Sequence, residues 1–218
     1  MATEAPRIKL CGITTLDDAL MAVDVGAWAV GCILWPQSPR SCEPAEAARI
    51  AASVRRRAHV CGVFVNQHLD EVTGLVDGLG LTMVQLHGDE GPAFCGEVAR
   101  RTGAKVMKAA QVRTAADVRA LEAFHTDFHL LDAYAPGMRG GTGETFDWEL
   151  VRSRRSKVPL VLSGGLRPDN VAAAIAATHP FAVDTASGTE ASPGIKDPAK
   201  VAAFVEAVNA TALEGAAP

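Results

Sequence analysis

The sequence predicts an α/β protein closed into a (β/α)8 barrel, and three observations carry that prediction. Eight short apolar runs alternate with eight Ala-, Leu- and Arg-bearing helical stretches along the chain. The runs are near-continuous in apolar residues, as parallel strands buried on both faces must be. The 218 residues, 48% of them hydrophobic, suffice for one core of that kind, a single TIM-barrel domain. An open doubly wound sheet usually announces itself by a GxGxxG turn after its first strand, and Cys11-Gly12-Ile13-Thr14 is not such a turn.

Taken in order, Ile8–Gly12 reads as the first strand, and Thr14 stands where it could cap a helix over Asp17–Asp24. Ala29–Leu34 is the second strand, followed by a helix over Pro44–Arg56 that opens on proline, which suits a first helical turn. Val60–Val65 and Leu69–Leu79 form the third pair, and Met83–His87 and Pro92–Arg101 the fourth. Lys105–Ala109 is the fifth strand, with Thr114 as the cap of a helix over Ala115–Glu122. His129–Asp132 with Asp147–Arg154, Leu160–Ser163 with Asp169–Ala177, and Ala182–Thr185 with Pro198–Asn209 complete the eight. No linker, low-complexity segment or strong internal repeat interrupts the pattern. One domain is therefore expected over 1–218, with the small, Pro- and Ala-rich ends near 1–6 and 210–218 frayed.

The formal net charge of −4 gives no general attraction for nucleic acid or for an anionic membrane, so neither is expected as a partner. An anionic ligand would have to be held by local dipoles and individual cations. No apolar run approaches the length of a membrane span. The five cysteines are odd in number and lack CxxC spacing, and no basic segment followed by an apolar one opens the chain. Free thiols in that setting are expected in a reducing cytoplasm.

In a barrel, chemistry gathers where strands end and loops begin. Those ends read Cys11, then Ser38-Pro39-Arg40, Asn66, Gln85 with His87, Lys108, Asp132, Gly164-Gly165 and Ser187-Gly188. Cys11 alone would be taken for a small buried hydrophobe. At a strand end it is also a candidate base, given a modest lowering of the thiol pKa. Lys9, two residues earlier on the same strand face, could supply that lowering, or could instead pair with Asp184 on the neighbouring strand. Asp132 lies too early to cap the helix near Asp147, and partial burial is what would let it hold and donate a proton. Pro39 stiffens the loop that carries Arg40, so its guanidinium fork can be aimed at a carboxylate; the alternative is a solvated surface arginine. Gln85 and His87 share a strand face, as a polar layer inside the barrel or as substrate contacts. Gly164-Gly165 and Ser187-Gly188 follow the seventh and eighth strands, where barrels often hold a phosphate on backbone N–H groups. Gly141-Thr142-Gly143 offers a third loop of backbone donors. The histidines show no mutual ligand spacing, so neither a metal nor a cofactor is expected.

These motifs resemble those of the phosphoribosylanthranilate isomerase family. The resemblance runs from Lys9-Leu10-Cys11-Gly12-Ile13-Thr14 through Ser38-Pro39-Arg40, Gly62-Val63-Phe64-Val65-Asn66 and Gln85-Leu86-His87-Gly88. It continues through Gly140-Gly141-Thr142-Gly143 with Phe146-Asp147-Trp148, Gly164-Gly165-Leu166 with Asn170-Val171, and Ser187-Gly188, to Pro193-Gly194-Ile195-Lys196-Asp197. The resemblance implies a TIM barrel, monomeric or homodimeric, that carries out an Amadori rearrangement of a small phosphorylated substrate in tryptophan biosynthesis. By position, it implies Asp132 as the acid that opens the ribose ring and Cys11 as the base at C2. It further implies Arg40 on the anthranilate carboxylate, and phosphate contacts from Gly164, Gly165, Ser187 and Gly188. Gln85, His87, Gly141 and Gly143 complete the expected substrate-binding set. Trp35 departs from a usual Phe-rich strand, Ser163 stands where alanine is commoner, and Thr185-Ala186 where Val-Ser is. A dual-substrate sugar isomerase of histidine and tryptophan biosynthesis would resemble two fused half-barrels with two aspartates. A pentose-phosphate epimerase would need a His/Asp metal cluster. A phosphate-binding barrel without catalysis would not need Cys11 and Asp132.

Overall fold

The computed structural model describes residues 4–133 and 145–214. Eight parallel strands close on themselves: β1 (Arg7–Cys11), β2 (Ala29–Ile33), β3 (His59–Phe64), β4 (Met83–Leu86), β5 (Lys105–Val112), β6 (Phe128–Ala133), β7 (Leu160–Leu162) and β8 (Ala182–Thr185), with β1 pairing both β2 and β8. The expected barrel is present, and its strands fall within a few residues of their sequence positions. Closure removes every exposed strand edge from the barrel.

Helices α1 (Leu16–Asp24), α2 (Pro44–Val54), α3 (Leu69–Leu79), α4 (Pro92–Thr102), α5 (Ala115–Ala120), α6 (Val171–Thr178) and α7 (Pro198–Glu214) wrap the outside. Between β6 and β7 the expected helix over Asp147–Arg154 is a 3₁₀ segment, Trp148–Ser153, capped by the Asp147 side chain on the Glu149 amide. The cap of α1 is Thr15, which accepts from the Asp18 amide, and not Thr14. Thr14 is drawn away because its hydroxyl donates to the Gly194 carbonyl, 2.5 Å distant. Thr114 caps α5 as expected, in a reciprocal box with Asp117. After β8 the chain makes a short antiparallel hairpin, β9 (Glu190–Ser192) and β10 (Ile195–Lys196), before α7.

Outward side chains such as Leu10, Val30, Phe64, Leu86, Leu131 and Leu162 form the larger core beneath the helices. Inward ones, Cys61, Met83, Met107, Leu130, Val161 and Ala182, form a smaller core inside the barrel. At the N-terminal end that inner core is closed by an aromatic plug. Trp28 packs edge-on to Phe128 at 5.1 Å and to Phe181 at 5.4 Å, and the Arg7 guanidinium lies 5.1 Å from the Phe181 ring centre. No helix among the described residues is long and apolar enough to cross a membrane.

Candidate active site

Above the apolar inner core the inward side chains turn polar. Lys9 and Asp184 are register partners on β1 and β8, and their side chains form a buried ion pair at 2.8 Å. The second oxygen of Asp184 accepts from the Ser163 hydroxyl at 3.2 Å, which gives that departure from alanine a role. Beyond this layer, at the C-terminal mouth, opens a cavity of about 200 Å³. Trp35, Ser38, Arg40, His87, Asp132 and Asp184 line it with their side chains, and Gly164, Gly165 and Ser187 contribute to its far wall.

Cys11 is the last residue of β1, on the same face as Lys9 and therefore inside the barrel. Its register partner is Gly31. A Cβ on Gly31 would come within 2.7 Å of Cys11 Sγ and 3.2 Å of Lys9 Nζ, so the glycine provides the space in which thiol and ammonium sit. Cys11 is only 6% exposed and is not part of the cavity wall. Burial pushes its pKa up from 9.0, opposed by Lys9 and Lys196 and reinforced by Asp184. The sequence expectation of a thiol lowered by Lys9 is thus corrected. Lys9 is committed to Asp184, and desolvation outweighs its pull on the sulfur. Lys9 itself is completely buried; desolvation opposes its charge, but Asp184, with Cys11 and Cys61, raises its pKa above the ordinary lysine value.

Asp132 projects inward from β6, three strands from β1 in one direction and five in the other. Its Oδ1 accepts from the Ala133 amide at 2.9 Å, and its Oδ2 lies 3.2 Å from His87 Nε2, without the alignment of a hydrogen bond. Behind His87, Gln85 Nε2 is 2.7 Å from His87 Nδ1. Gln85 therefore lies beneath His87 and off the cavity wall, and reaches Asp132 only through the imidazole. With the amide donating to Nδ1, the ring proton sits on Nε2 and faces Asp132. Gln85 Oε1 is left buried without a partner.

Arg40 lines the mouth but is only 7% exposed. Glu190 of β9 takes its Nε with both carboxylate oxygens, each at 2.9 Å, and its Nη2 at 2.9 Å. Lys196 of β10 stands 3.6 Å from Glu190 Oε1 and donates to the Ala186 carbonyl and the Thr189 hydroxyl. Burial lowers the Lys196 pKa, with Glu190 as the main opposing influence. No local signal in Thr189-Glu190-Ala191-Ser192 marks Glu190 as buried. Lys196 was visible only as part of the Pro193–Asp197 motif.

The paired glycines behave as the site requires. Gly164 has φ +89°, and a Cβ there would strike the Ala133 backbone, so the loop after β7 can lie against the end of β6 only as glycine. Among the described residues, the amides of Gly164, Gly165, Ser187 and Gly188 take no protein acceptor. Gly188 is packed against the Leu166 carbonyl, away from the cavity wall. Thr185 fixes that same carbonyl by a 2.8 Å hydrogen bond. Gly141 and Gly143 lie outside the described residues. Two members leave the strand-end series. β5 runs on to Val112, and Lys108, between the inward Met107 and Ala109, is on the outer barrel face, bound to Glu90 at 2.8 Å and the Gly88 carbonyl at 2.7 Å. Asn66 bonds the Asp89 amide across the loops at 2.6 Å.

The family model of N-(5'phosphoribosyl)anthranilate (PRA) isomerase matches residues 8–207. The N-(5'-phosphoribosyl)anthranilate isomerase of Citrifermentans bemidjiense is 49% identical over 207 residues, 95% of this chain and 98% of that protein. The crystal structure of phosphoribosyl anthranilate isomerase from Thermotoga maritima superimposes with a TM-score of 0.84 at 40% identity, covering 94% of this chain and 99% of that one. A structure of such an isomerase in complex with reduced 1-(o-carboxyphenylamino)-1-deoxyribulose 5-phosphate matches with a TM-score of 0.81 at 38% identity, over 94% and 99% of the two chains. Over fold, strand-end motifs and nearly full length together, the chain belongs to the phosphoribosylanthranilate isomerase family.

Proposed function

We propose that this barrel rearranges N-(5'-phosphoribosyl)anthranilate to 1-(2-carboxyphenylamino)-1-deoxyribulose 5-phosphate, the isomerase step of tryptophan biosynthesis, with Asp132 as general acid and Cys11 as general base. The observation that carries the residue assignment is the placing of these two side chains. Both project inward at the C-terminal ends of their strands, Asp132 on the cavity wall and Cys11 beside the Lys9–Asp184 pair, whose Asp184 lines the same cavity. Family membership supports the reaction; the geometry supports the division of labour.

Asp132 gives its proton to the ribose ring oxygen as the C1–O bond breaks, and the anthranilate nitrogen lone pair completes a Schiff base at C1. Cys11, as thiolate, takes the proton from C2. The freed electron pair forms the C1–C2 double bond and neutralises the iminium nitrogen. The enol then gives up its hydroxyl proton as C1 gains one, which leaves the ketone. Protons are only moved, so no redox partner enters. Arg40 holds the anthranilate carboxylate by its guanidinium, and the amides of Gly164, Gly165 and Ser187 hold the phosphate without a cation. His87 and Trp35 frame the space between.

The test is an assay of the purified chain with N-(5'-phosphoribosyl)anthranilate and no added cofactor, following loss of substrate fluorescence. The histidine-pathway aminoaldose serves as comparison. Turnover of the anthranilate compound alone is expected. Equal turnover of both, or of neither, would defeat the assignment.

A further inference from the structure

The proton transfers above use nothing from the hairpin β9–β10. Yet that hairpin buries a carboxylate against Arg40, and both of its oxygens bond the Arg40 guanidinium. We infer that Glu190 is a positioning residue that selects which edge of the Arg40 guanidinium meets the substrate, and so sets the preference for a carboxylated aromatic ring. This rests on the assignment of Arg40 to the anthranilate carboxylate.

A guanidinium offers two bidentate edges: Nε with Nη2, and Nη1 with Nη2. Glu190 occupies the first, with contacts of 2.9 Å to both Nε and Nη2. Among the described residues Nη1 takes no partner, so the second edge is left for a ligand. The clamp is itself held. Glu190 Oε1 accepts from the Gly194 amide at 3.3 Å and lies 3.6 Å from the Lys196 ammonium. On the other side, a Cβ at Gly12 would come 3.0 Å from Arg40 Cδ and 3.1 Å from Glu190 Oε1, so the residue after Cys11 packs directly on the pair. Charge completes the case. Arg40 with Glu190 alone would be neutral and would attract a carboxylate only through hydrogen bonds. Lys196 restores a single net positive charge to the trio. An arginine without Glu190 would keep its charge but be free to swing, and its ordering would then count against each binding event.

The experiment measures binding of the unreactive reduced product, and of the same compound without its ring carboxylate, by titration calorimetry alongside kcat and KM. Glu190→Gln is expected to weaken the carboxylated ligand by about tenfold and the other by less than about twofold, with KM raised and kcat nearly constant. Arg40→Ala should discriminate in the same direction, and the double variant should be no weaker than Arg40→Ala. Equal losses for both ligands in Glu190→Gln, or losses that add to those of Arg40→Ala, would overturn the inference and leave Glu190 a structural group. Failure of Arg40→Ala itself to discriminate would overturn the carboxylate assignment beneath it. Should Glu190→Gln not fold, Glu190→Asp keeps the charge but cannot span both Nε and Nη2. It is expected to fold and still discriminate; wild-type affinity for both ligands would count against the positioning role.

Discussion

The two sides of the barrel mouth solve opposite problems with different materials. Around Cys11 stand charged groups: Lys9 and Lys196 against Asp184, one cation more than the carboxylates. Around Asp132 the described partners are a backbone amide and the His87 ring, itself backed by an uncharged amide. Burial makes the Cys11 thiol resist losing its proton, and the two ammonium groups beside it oppose that without overcoming it. The acid proposed here must keep its proton until the substrate arrives, and a strong fixed cation beside it would favour the carboxylate. The two buried groups thus meet different neighbours: fixed charges at Cys11, an amide and an imidazole at Asp132.

The largest effects should come from removing the two proton carriers. Cys11→Ala and Asp132→Asn should each lower kcat by roughly 10²–10⁴ while the affinity for reduced product changes only a few-fold. Deuterium at substrate C2 separates them. Cys11→Ala makes C2 proton loss limiting and should enlarge the isotope effect on kcat; Asp132→Asn makes ring opening limiting and should suppress it. The same effect in both variants would erase the proposed division.

Next in size is the ionic side's dependence on charge balance. Lys9→Met strands Asp184 as an unpaired buried carboxylate and should cost about 3–5 kcal/mol in urea unfolding. Adding Asp184→Asn should recover much of that loss, because the penalty belongs to the orphaned charge and not to missing contacts. No recovery would mean that Lys9 acts by packing.

How much of this could be read beforehand follows the range of the interactions. The barrel was legible because strand alternation, helix length and caps such as Thr114 are local. The strand-end position of Cys11, Asp132 and the glycine pairs was legible for the same reason. Even Lys9 with Asp184 could be named as a possible pair, since β1 and β8 must meet when a barrel closes. The state of the Cys11 thiol is not legible in the sequence because it depends on a balance of desolvation, Lys9, Lys196 and Asp184 inside the folded barrel. Glu190 escaped altogether: its partner is 150 positions away in sequence, and nothing nearby distinguishes it from a surface glutamate. Lys108 is not a mouth residue because β5 runs three residues past its expected end and Lys108 alternates with the inward Met107 and Ala109.

The neutral side offers a subtler test. As found, both Asp132 oxygens face N–H groups. Turning the Gln85 amide over would let its unpartnered Oε1 accept from Nδ1–H. His87 Nε2 would then become an acceptor for a proton on Asp132 Oδ2. Gln85 can thus follow both protonation states, which no apolar residue can. Gln85→Leu should lower kcat about tenfold with KM unchanged, and should change the His87 imidazole nitrogen shifts that report its tautomer. A kcat drop without any tautomer change would place the role of Gln85 in packing.

The smallest expected effect is one of stability against pH, and it separates the ionic side from the rest of the inner core. Cys61 lies inside the barrel below Cys11, and burial pushes its thiol up to about 12, against a weaker opposing pull from Lys9. The folded chain therefore keeps a proton that the unfolded chain releases near 9. The stabilisation is complete below pH 9 and drains away as the pH climbs toward 12, by roughly 2–3 kcal/mol for this one thiol at pH 11. Lys9, whose pKa is also raised, contributes in the same direction. Cys61→Val removes one share and leaves the other, so its stability should fall less steeply above pH 9 than that of the parent chain, with the two curves parallel between pH 6 and 8. Curves that stay parallel through pH 11 would show that water reaches Cys61 in the folded barrel. The dry, charge-sensitive interior on which the contrast between base and acid depends would then have to be given up.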